Sequence, residues 1–314
     1  MDVLKQINKQ IEEIKSEGHS AYLDLIYNHL DRAEVYYQKG ENDEHYYNDV
    51  VYRTNQAFEG ALKEAYKVLG GKSDEQIARV TPNKIEKYLK DENIFKERVL
   101  KLFENYRQEW RNKSTHDYKL VLDEHEAFLA FINVCSFVHL LLKQIQEKLA
   151  FDKEIIKERK AEEIKETQDI VQNKSDAFSD RILKLLGKFS TELNQEKEDL
   201  KEVEINGKLN AFLSKASDDL TIFREPQFSI GTLNIRPDFV LEYQSEKLII
   251  EVKRRPHKGR IKADIDQLAS YLAVSGIKNG ILYFASSKVE NNKLTVDMHN
   301  VTVNDTHLNI MIIF

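Results

Sequence analysis

Two short apolar segments near the C-terminus read RPDFVL at residues 236–241 and KLIIEVK at residues 247–253. The second is too short and too rich in β-branched residues for a helix, and polar residues bound it on both sides. Because residues two apart on a strand point to the same face, Glu251 and Lys253 should share one side of the sheet. Asp238 opens the other strand at a hairpin's distance. The pattern therefore predicts two carboxylates and a lysine at adjacent strand ends.

The same Glu-x-Lys spacing occurs elsewhere in the chain, and strand context separates the cases. Glu13 and Lys15 lie in a run with helical periodicity, which predicts a solvated charge pair. For Glu251 and Lys253 the alternative is an edge strand with an exposed ion pair. The upstream Pro-Asp, with its own apolar run, favours a functional site.

This segment closely resembles the active-site motif of the PD-(D/E)xK nucleases, the restriction-endonuclease-like superfamily. The resemblance covers roughly residues 200–290 and implies an α/β domain with a mixed central sheet. It also implies metal-assisted hydrolysis of nucleic acid, DNA above all, with Asp238, Glu251 and the Val252 carbonyl holding Mg²⁺ or Mn²⁺. Lys253 would orient or help deprotonate the attacking water.

Two helices that flank these strands supply further candidates. In the superfamily an acidic residue on the first helix often completes the metal site, and Glu204 is the best match here, with Glu202 a near rival. After the second strand, Gln267 and Tyr271 lie four apart, on one face of a helix. This Gln-x-x-x-Tyr pattern resembles a feature of several branches of the superfamily. Its alternative is a tyrosine packed on the sheet beside an incidental glutamine.

A dense basic run directly follows Lys253. Phosphate neutralisation supplies most non-specific affinity for nucleic acid, so a phosphodiester approaching the predicted site would meet this run first. A solvated loop and helix start is the alternative. The residues expected to bind nucleic acid are Arg254, Arg255, Lys258, Arg260 and Lys262.

The placement of proline divides the chain. Only Pro82 falls before Pro226, whereas Pro237 and Pro256 follow closely. The proline-poor part repeats apolar residues at three- and four-residue steps, which predicts helices. The predicted helices span about residues 2–18, 20–38, 44–69, 83–90, 93–112, 122–149, 176–198 and 201–215, with a charged helix at about 143–172.

After about residue 200 the pattern becomes that of short strands around one helix at about 261–275. We therefore predict a multi-domain chain: an all-α bundle over residues 1–145, a charged helical linker over 146–198, and an α/β domain over 199–314. The predicted strands span about residues 220–230, 238–244, 247–253, 280–286, 293–299 and 307–314.

A second motif lies in the helical part, where Arg111 and His116 frame the sequence RNKSTH. It resembles the Arg-x4-His motif of HEPN domains, helical bundles found in RNases of toxin and phage-defence systems, over about residues 20–145. The resemblance implies a homodimer whose Arg and His residues form a composite, metal-independent ribonuclease site. His116 would act as general acid or base and Arg111 would stabilise the phosphate. The alternatives are a non-catalytic dimerisation module and a surface helix cap.

The composition of the chain argues against several classes of protein. The net charge of −6 excludes a generic polyanion binder, so any nucleic-acid contact must come from a local patch. The single cysteine, Cys135, excludes a disulfide scaffold and fits a reducing cytoplasm. No N-terminal run resembles a signal peptide, and no stretch of about 18 apolar residues is expected to span a membrane.

Two classes of function remain. The first is a phage-defence nuclease that joins a HEPN-like domain, for dimerisation or RNA cleavage, to a metal-dependent deoxyribonuclease. The second is a binding protein for nucleic acid or a phage product, in which one of the two domains is catalytically inactive.

Overall fold

The computed structural model describes residues 2–16, 22–112, 122–157, 161–195, 200–285, 295–303 and 306–314. The chain divides into two compact units, Met1–Lys148 and Leu149–Phe314. The first unit is helical, and the second contains a six-stranded mixed sheet. The coarse two-part layout predicted from the sequence is thereby confirmed.

Helices build the described part of the first unit, and the last of them continues past Lys148 into the second unit. They are α1 (Val3–Ser16), α2 (Leu23–Gly40), α3 (His45–Val68), α4 (Asp74–Ala78), α5 (Pro82–Asp91), α6 (Glu97–Tyr106), the π-helical turn π1 (Arg107–Arg111) and α7 (Glu124–Ile156). The helix α3 ends at Val68, and Gly71 in the turn that follows has a φ of 62°, which favours glycine. Ser73 and Gln76 then form a capping box that starts α4.

The core of the first unit is aromatic. The Phe58 ring lies 4.8 Å from that of Tyr106, 5.2 Å from that of Phe137 and 5.7 Å from that of Phe103, measured between ring centroids. Such tilted and stacked pairs add to the stability that burial of their area provides. Cys135 is fully buried, and burial raises the pKa of its thiol, as expected for a core residue.

The apolar helix α7 is long and apolar enough to cross a membrane by length and composition alone. The expectation that no stretch could do so is therefore wrong by this criterion. Half of its most apolar window is nevertheless buried, and a core helix passes the same test.

The second unit places a sheet between helices. Its elements are α8 (Ala161–Gln172), α9 (Phe178–Gln195), α10 (Glu202–Ala216), β1 (Thr221–Arg224), β2 (Phe228–Ile230), β3 (Leu233–Ile235), β4 (Phe239–Tyr243), β5 (Glu246–Lys253), α11 (Ile261–Ser275), β6 (Asn279–Phe284), β7 (Val296–Val303) and β8 (Thr306–Ile313). The main sheet has the order β1-β4-β5-β6-β8-β7, and β2 and β3 form a separate hairpin. The pairs β5–β6 and β6–β8 are parallel, and the other pairs are antiparallel.

Both faces of this sheet are covered. Leu248 and Ile250 pack in the cluster that contains α9 and α10, whereas Ile249 packs in the cluster that contains Leu268 and Leu272 of α11. This alternation follows from the two-residue period of a strand. It explains why β5 is apolar almost throughout, a pattern typical of strands that are buried on both faces.

The predicted linker over residues 146–198 does not match the observed division. Val171 of α8 and Phe178 and Leu185 of α9 are buried in the same cluster as the sheet residues. Buried Arg181 fixes this packing, since it donates to the Val171 carbonyl at 2.7 Å and pairs with Glu246 of β5 at 3.2 Å. The helices α8 and α9 therefore belong to the second unit, because their apolar side chains pack in its core.

Candidate active site

The register of β4 and β5 brings two carboxylates together. Phe239 pairs with Ile250, so Asp238, just ahead of β4, lies opposite Glu251. The Asp238 N–H donates to Glu251 Oε2 at 3.3 Å, and the Val252 N–H donates to Asp238 Oδ2 at 2.8 Å. Each carboxylate is thus held by a backbone amide of the neighbouring strand.

Lys253 completes this cluster. Its Nζ lies 2.8 Å from Glu251 Oε1, and strand alternation puts both side chains on the face of the sheet that α11 covers. Glu251 is only 4% exposed. Burial opposes the charge of Lys253, but Glu251, Asp238 and Glu202 together outweigh it and raise the pKa of the amine. The lysine is therefore a cation in this arrangement, suited to donating hydrogen bonds.

The electrostatics of the carboxylate pair are unfavourable without a further cation. Burial and then the charge of Glu251 raise the pKa of Asp238 to about 7. Burial also raises the pKa of Glu251, although Lys253 acts against it. The two carboxylates repel each other in a place of low dielectric, and the neighbouring cations do not bring either pKa back to its usual value. Oxygen donors with excess negative charge are the ligand set that Mg²⁺ and Mn²⁺ prefer.

The start of α10 offers Glu202 rather than Glu204 to this cluster. Glu204 Oε2 accepts the Lys201 N–H at 2.6 Å, which caps the helix. Glu202 is the residue whose charge acts on both Glu251 and Lys253, raising the pKa of each. The register of α10 therefore separates the two candidates, with Glu202 near the carboxylates and Glu204 at the cap.

The pair on α11 lies beside the same cluster. Gln267 Nε2 donates to the Tyr271 hydroxyl at 2.6 Å. Burial raises the pKa of Tyr271, and the charges of Glu251 and Asp238 add to this shift, so the phenol lies close to the carboxylates. The four-residue spacing thus brings Gln267 and Tyr271 together at the site rather than into the core alone.

Arg224 is a residue of this site that the sequence reading missed. It ends β1, next to β4, and its Nη1 donates to the Asp238 carbonyl at 2.5 Å. Its guanidinium carbon lies 3.6 Å from the centre of the Phe239 ring, and its charge acts against the raised pKa of Asp238. The only signal in the sequence was its place at the end of a strand that neighbours Asp238.

The basic run occupies the turn between β5 and the first turn of α11. Arg254 is half-buried, and the other four side chains are exposed. The turn starts directly after Lys253, so these cations extend from the carboxylate cluster toward solvent. The exposed members are Arg255, Lys258, Arg260 and Lys262.

Of the predicted pair Arg111 and His116, only Arg111 lies within the described residues. Arg111 ends π1, with its Nη2 3.5 Å from Glu86 Oε1 and 3.9 Å from Glu59 Oε1, and Arg107 approaches Glu86 at 3.8 Å. Burial raises the pKa of Glu86, and the two arginines act against it. His116 lies outside the described residues. Glu86 was missed by the sequence reading, although a glutamate on the buried side of an amphipathic helix is a usable signal.

Within the described parts of the chain, no three His, Cys, Asp or Glu side chains gather as metal ligands. Asp238 and Glu251 therefore form a two-carboxylate site. The Val252 side chain is in the core, and its amide, as described above, holds Asp238. Comparison of the chain with protein-family models, with curated proteins and with solved structures gives no match.

Proposed function

We propose that the second unit is a restriction-endonuclease-like domain that hydrolyses phosphodiester bonds of DNA with Mg²⁺ or Mn²⁺. The observation that carries this proposal is the placement of Asp238 opposite Glu251, with Lys253 Nζ 2.8 Å from the latter. Buried like charges lower stability, and proteins tolerate them where chemistry requires them. A structural role would be served better by a neutral pair.

Asp238 and Glu251 would hold the metal ion, with the Val252 carbonyl as a further oxygen ligand. Mg²⁺ keeps several waters and often uses only one or two protein carboxylates, so this pair is sufficient. A bound ion would lower the pKa of a coordinated water and polarise a phosphoryl oxygen. Glu202 is near enough to add negative charge to the same place.

The remaining residues would orient the reactants. Lys253, held by Glu251, would donate to the attacking water and to the charge that develops on the phosphoryl oxygens. Attack of water on phosphorus breaks the bond to the leaving sugar oxygen. Gln267, fixed by its bond to Tyr271, would position the water or a phosphate oxygen. The exposed cations after β5 would bind neighbouring phosphates.

Cleavage of DNA in Mg²⁺, Mn²⁺ or EDTA tests this proposal. The parent is expected to cut only with a metal ion, and Glu251→Ala and Lys253→Ala are expected to lose the activity. Lys247→Ala is the matched control, because Lys247 is exposed on the same strand and pairs with Glu242 at 3.3 Å, away from the site. Equal cutting by all four proteins would make the assignment wrong. DNA binding without any cutting would favour the alternative class, a binding protein.

A second candidate function belongs to the first unit, which we propose as a HEPN-like module for dimerisation and metal-independent RNA cleavage. The observation that favours it is the π-helical turn that ends at Arg111, beside the buried carboxylate of Glu86. Such turns are frequent at functional sites. Arg111 would stabilise a phosphate, and His116 would act on the ribose hydroxyl.

RNA cleavage in EDTA tests this second function. The parent is expected to cut, and Arg111→Ala and His116→Ala are expected not to. Arg98→Ala serves as control, since Arg98 is exposed on α6. Absence of RNA cleavage by the parent, with a dimer in solution, would leave a dimerisation module.

A further inference from the structure

The β2–β3 hairpin has one apolar face that continues from the core into solvent. Phe228 pairs with Ile235 at its base, and Ile230 pairs with Leu233 at its tip. Ile235 is buried and Phe228 packs against the α11 side of the core. At the tip, however, Ile230 is 57% exposed and Leu233 is 50% exposed. The base is therefore anchored while an apolar cross-strand pair is presented to solvent.

The opposite face of the hairpin is polar without being acidic. Residues 226–237 contain no Asp or Glu. Gln227, Ser229 and Asn234 are joined by side-chain hydrogen bonds, and Arg236 donates to Gln227. Arginine, glutamine and asparagine around a protruding apolar pair match the chemistry that proteins use in the minor groove of DNA.

The position of the hairpin relative to the carboxylates supports the same partner. Leu233 lies five positions before Asp238, which limits their separation to about 18 Å for an extended chain. That distance equals about five base steps of duplex DNA. Arg236 is the one charged residue of the segment 226–237, and it lies two positions before Asp238 of the candidate active site.

We propose that the tip of the β2–β3 hairpin enters the minor groove of duplex DNA and unstacks a base step close to the scissile phosphate. Ile230 and Leu233 would act as the apolar wedge, and Gln227, Asn234 and Arg236 would contact the groove edges. This inference rests on the proposed deoxyribonuclease function and adds to it a preference for duplex DNA. Wedges of this kind unstack and kink the duplex.

The test uses the full chain carrying Glu251→Ala, so that DNA is bound but not cut, and a duplex that contains 2-aminopurine. Binding is expected to raise the fluorescence of the probe, because the base becomes unstacked. The double change Ile230→Ser/Leu233→Ser should abolish the rise and weaken duplex binding by about tenfold, with single-strand binding unchanged. Netropsin, which occupies the minor groove, should compete with the unaltered hairpin.

A matched control removes two exposed apolar residues at the other edge of the sheet. Val296→Ser/Met298→Ser changes β7, where both side chains are exposed, and should leave fluorescence and affinity unchanged. Equal fluorescence and affinity in all variants would overturn the wedge. A changed oligomeric state of the hairpin variant, with unchanged DNA binding, would also overturn it and assign the surface to a second copy.

The rate of duplex DNA cleavage tests the wedge and the proposed deoxyribonuclease function separately. If the parent and Ile230→Ser/Leu233→Ser cut duplex DNA at the same rate with Mg²⁺, the wedge is wrong and the deoxyribonuclease stands. If the parent cuts no DNA, the proposed function itself fails.

Discussion

The two units each bury a polar cluster, and the clusters differ in charge balance. In the first unit the Tyr106 hydroxyl lies 2.9 Å from Thr54 Oγ1 and donates to Asn55 Oδ1 at 2.7 Å. This cluster is neutral and its hydrogen bonds are made. In the second unit, Asp238 and Glu251 face each other, and the pKa of each stays raised although Lys253 and Arg224 lie beside the pair. The first arrangement stabilises the fold, and the second costs stability and is suited to binding a cation.

The largest expected effect comes from removing charge at the carboxylate pair. Asp238→Asn keeps the shape and an oxygen for the Val252 N–H, so the fold should remain. A metal ion contributes several kcal/mol to transition-state stabilisation, so DNA cleavage should fall by about 1,000-fold. In EDTA, the variant should melt no lower than the parent. A large loss of thermal stability with preserved cleavage would mean that Asp238 stabilises the fold and is not needed for cleavage, which would contradict this prediction.

The neutral cluster should respond in the opposite way. Tyr106→Phe removes a fully buried hydroxyl and with it one hydrogen bond each of Thr54 and Asn55. The free energy of unfolding should fall by about 1–2 kcal/mol, measured by urea denaturation and by hydrogen exchange in α3. DNA cleavage should not change. If instead stability stays constant, the cluster is not the structural element described here.

Replacement of Arg224 should have a smaller effect on the rate of cleavage, and it tests how positive charge acts on the carboxylate pair. Arg224→Met removes the bond to the Asp238 carbonyl and a positive charge beside the carboxylates. Cleavage should fall by about tenfold because Asp238 loses a support of its backbone, and less Mg²⁺ should be needed for half-maximal rate because one cation that repels the metal ion is gone. Arg224→Lys should recover part of the loss. An unchanged Mg²⁺ requirement in Arg224→Met would assign the arginine to packing on Phe239 alone.

The smallest effect concerns acidification of the first unit. Burial and then Arg53 lower the pKa of His29 from its usual 6.5, so the unfolded chain binds the proton more readily. The stability that neutral His29 allows is present above about pH 6.5 and is lost as the pH falls toward the lowered value. His29→Asn should therefore lose less stability than the parent between about pH 7.5 and 5.5, by under about 1 kcal/mol. Hydrogen exchange in α2 measures this, and equal losses would contradict it.

The carboxylate pair and the lysine could be predicted because their geometry is local. Asp238, Glu251 and Lys253 belong to one hairpin, and the two-residue period of its strands decides which side chains share a face. The apolar run that precedes Glu251 also predicted a buried strand. Whether these residues catalyse a reaction stays a prediction.

The parts that could not be predicted depend on contacts distant in sequence or on helix register. The sequence does not decide which of Glu202 and Glu204 acts on the carboxylate pair. In the structure the Glu204 side chain folds back and accepts the Lys201 N–H, and it is Glu202 whose charge acts on Glu251. Glu86 reaches Arg111 only through packing of α5 against other helices. The helices α8 and α9 looked like a charged linker because the sheet that buries their apolar side follows later in the chain.

The central claim is that the carboxylate pair of the second unit is a metal-dependent site for DNA hydrolysis. The most direct test is the rate of plasmid DNA cleavage as a function of Mg²⁺ concentration, for the parent, Glu251→Ala and Lys247→Ala. The account predicts a saturable rate for the parent and for Lys247→Ala, no cutting in EDTA, and no cutting by Glu251→Ala. A rate that persists in Glu251→Ala, or that does not depend on Mg²⁺, would contradict it.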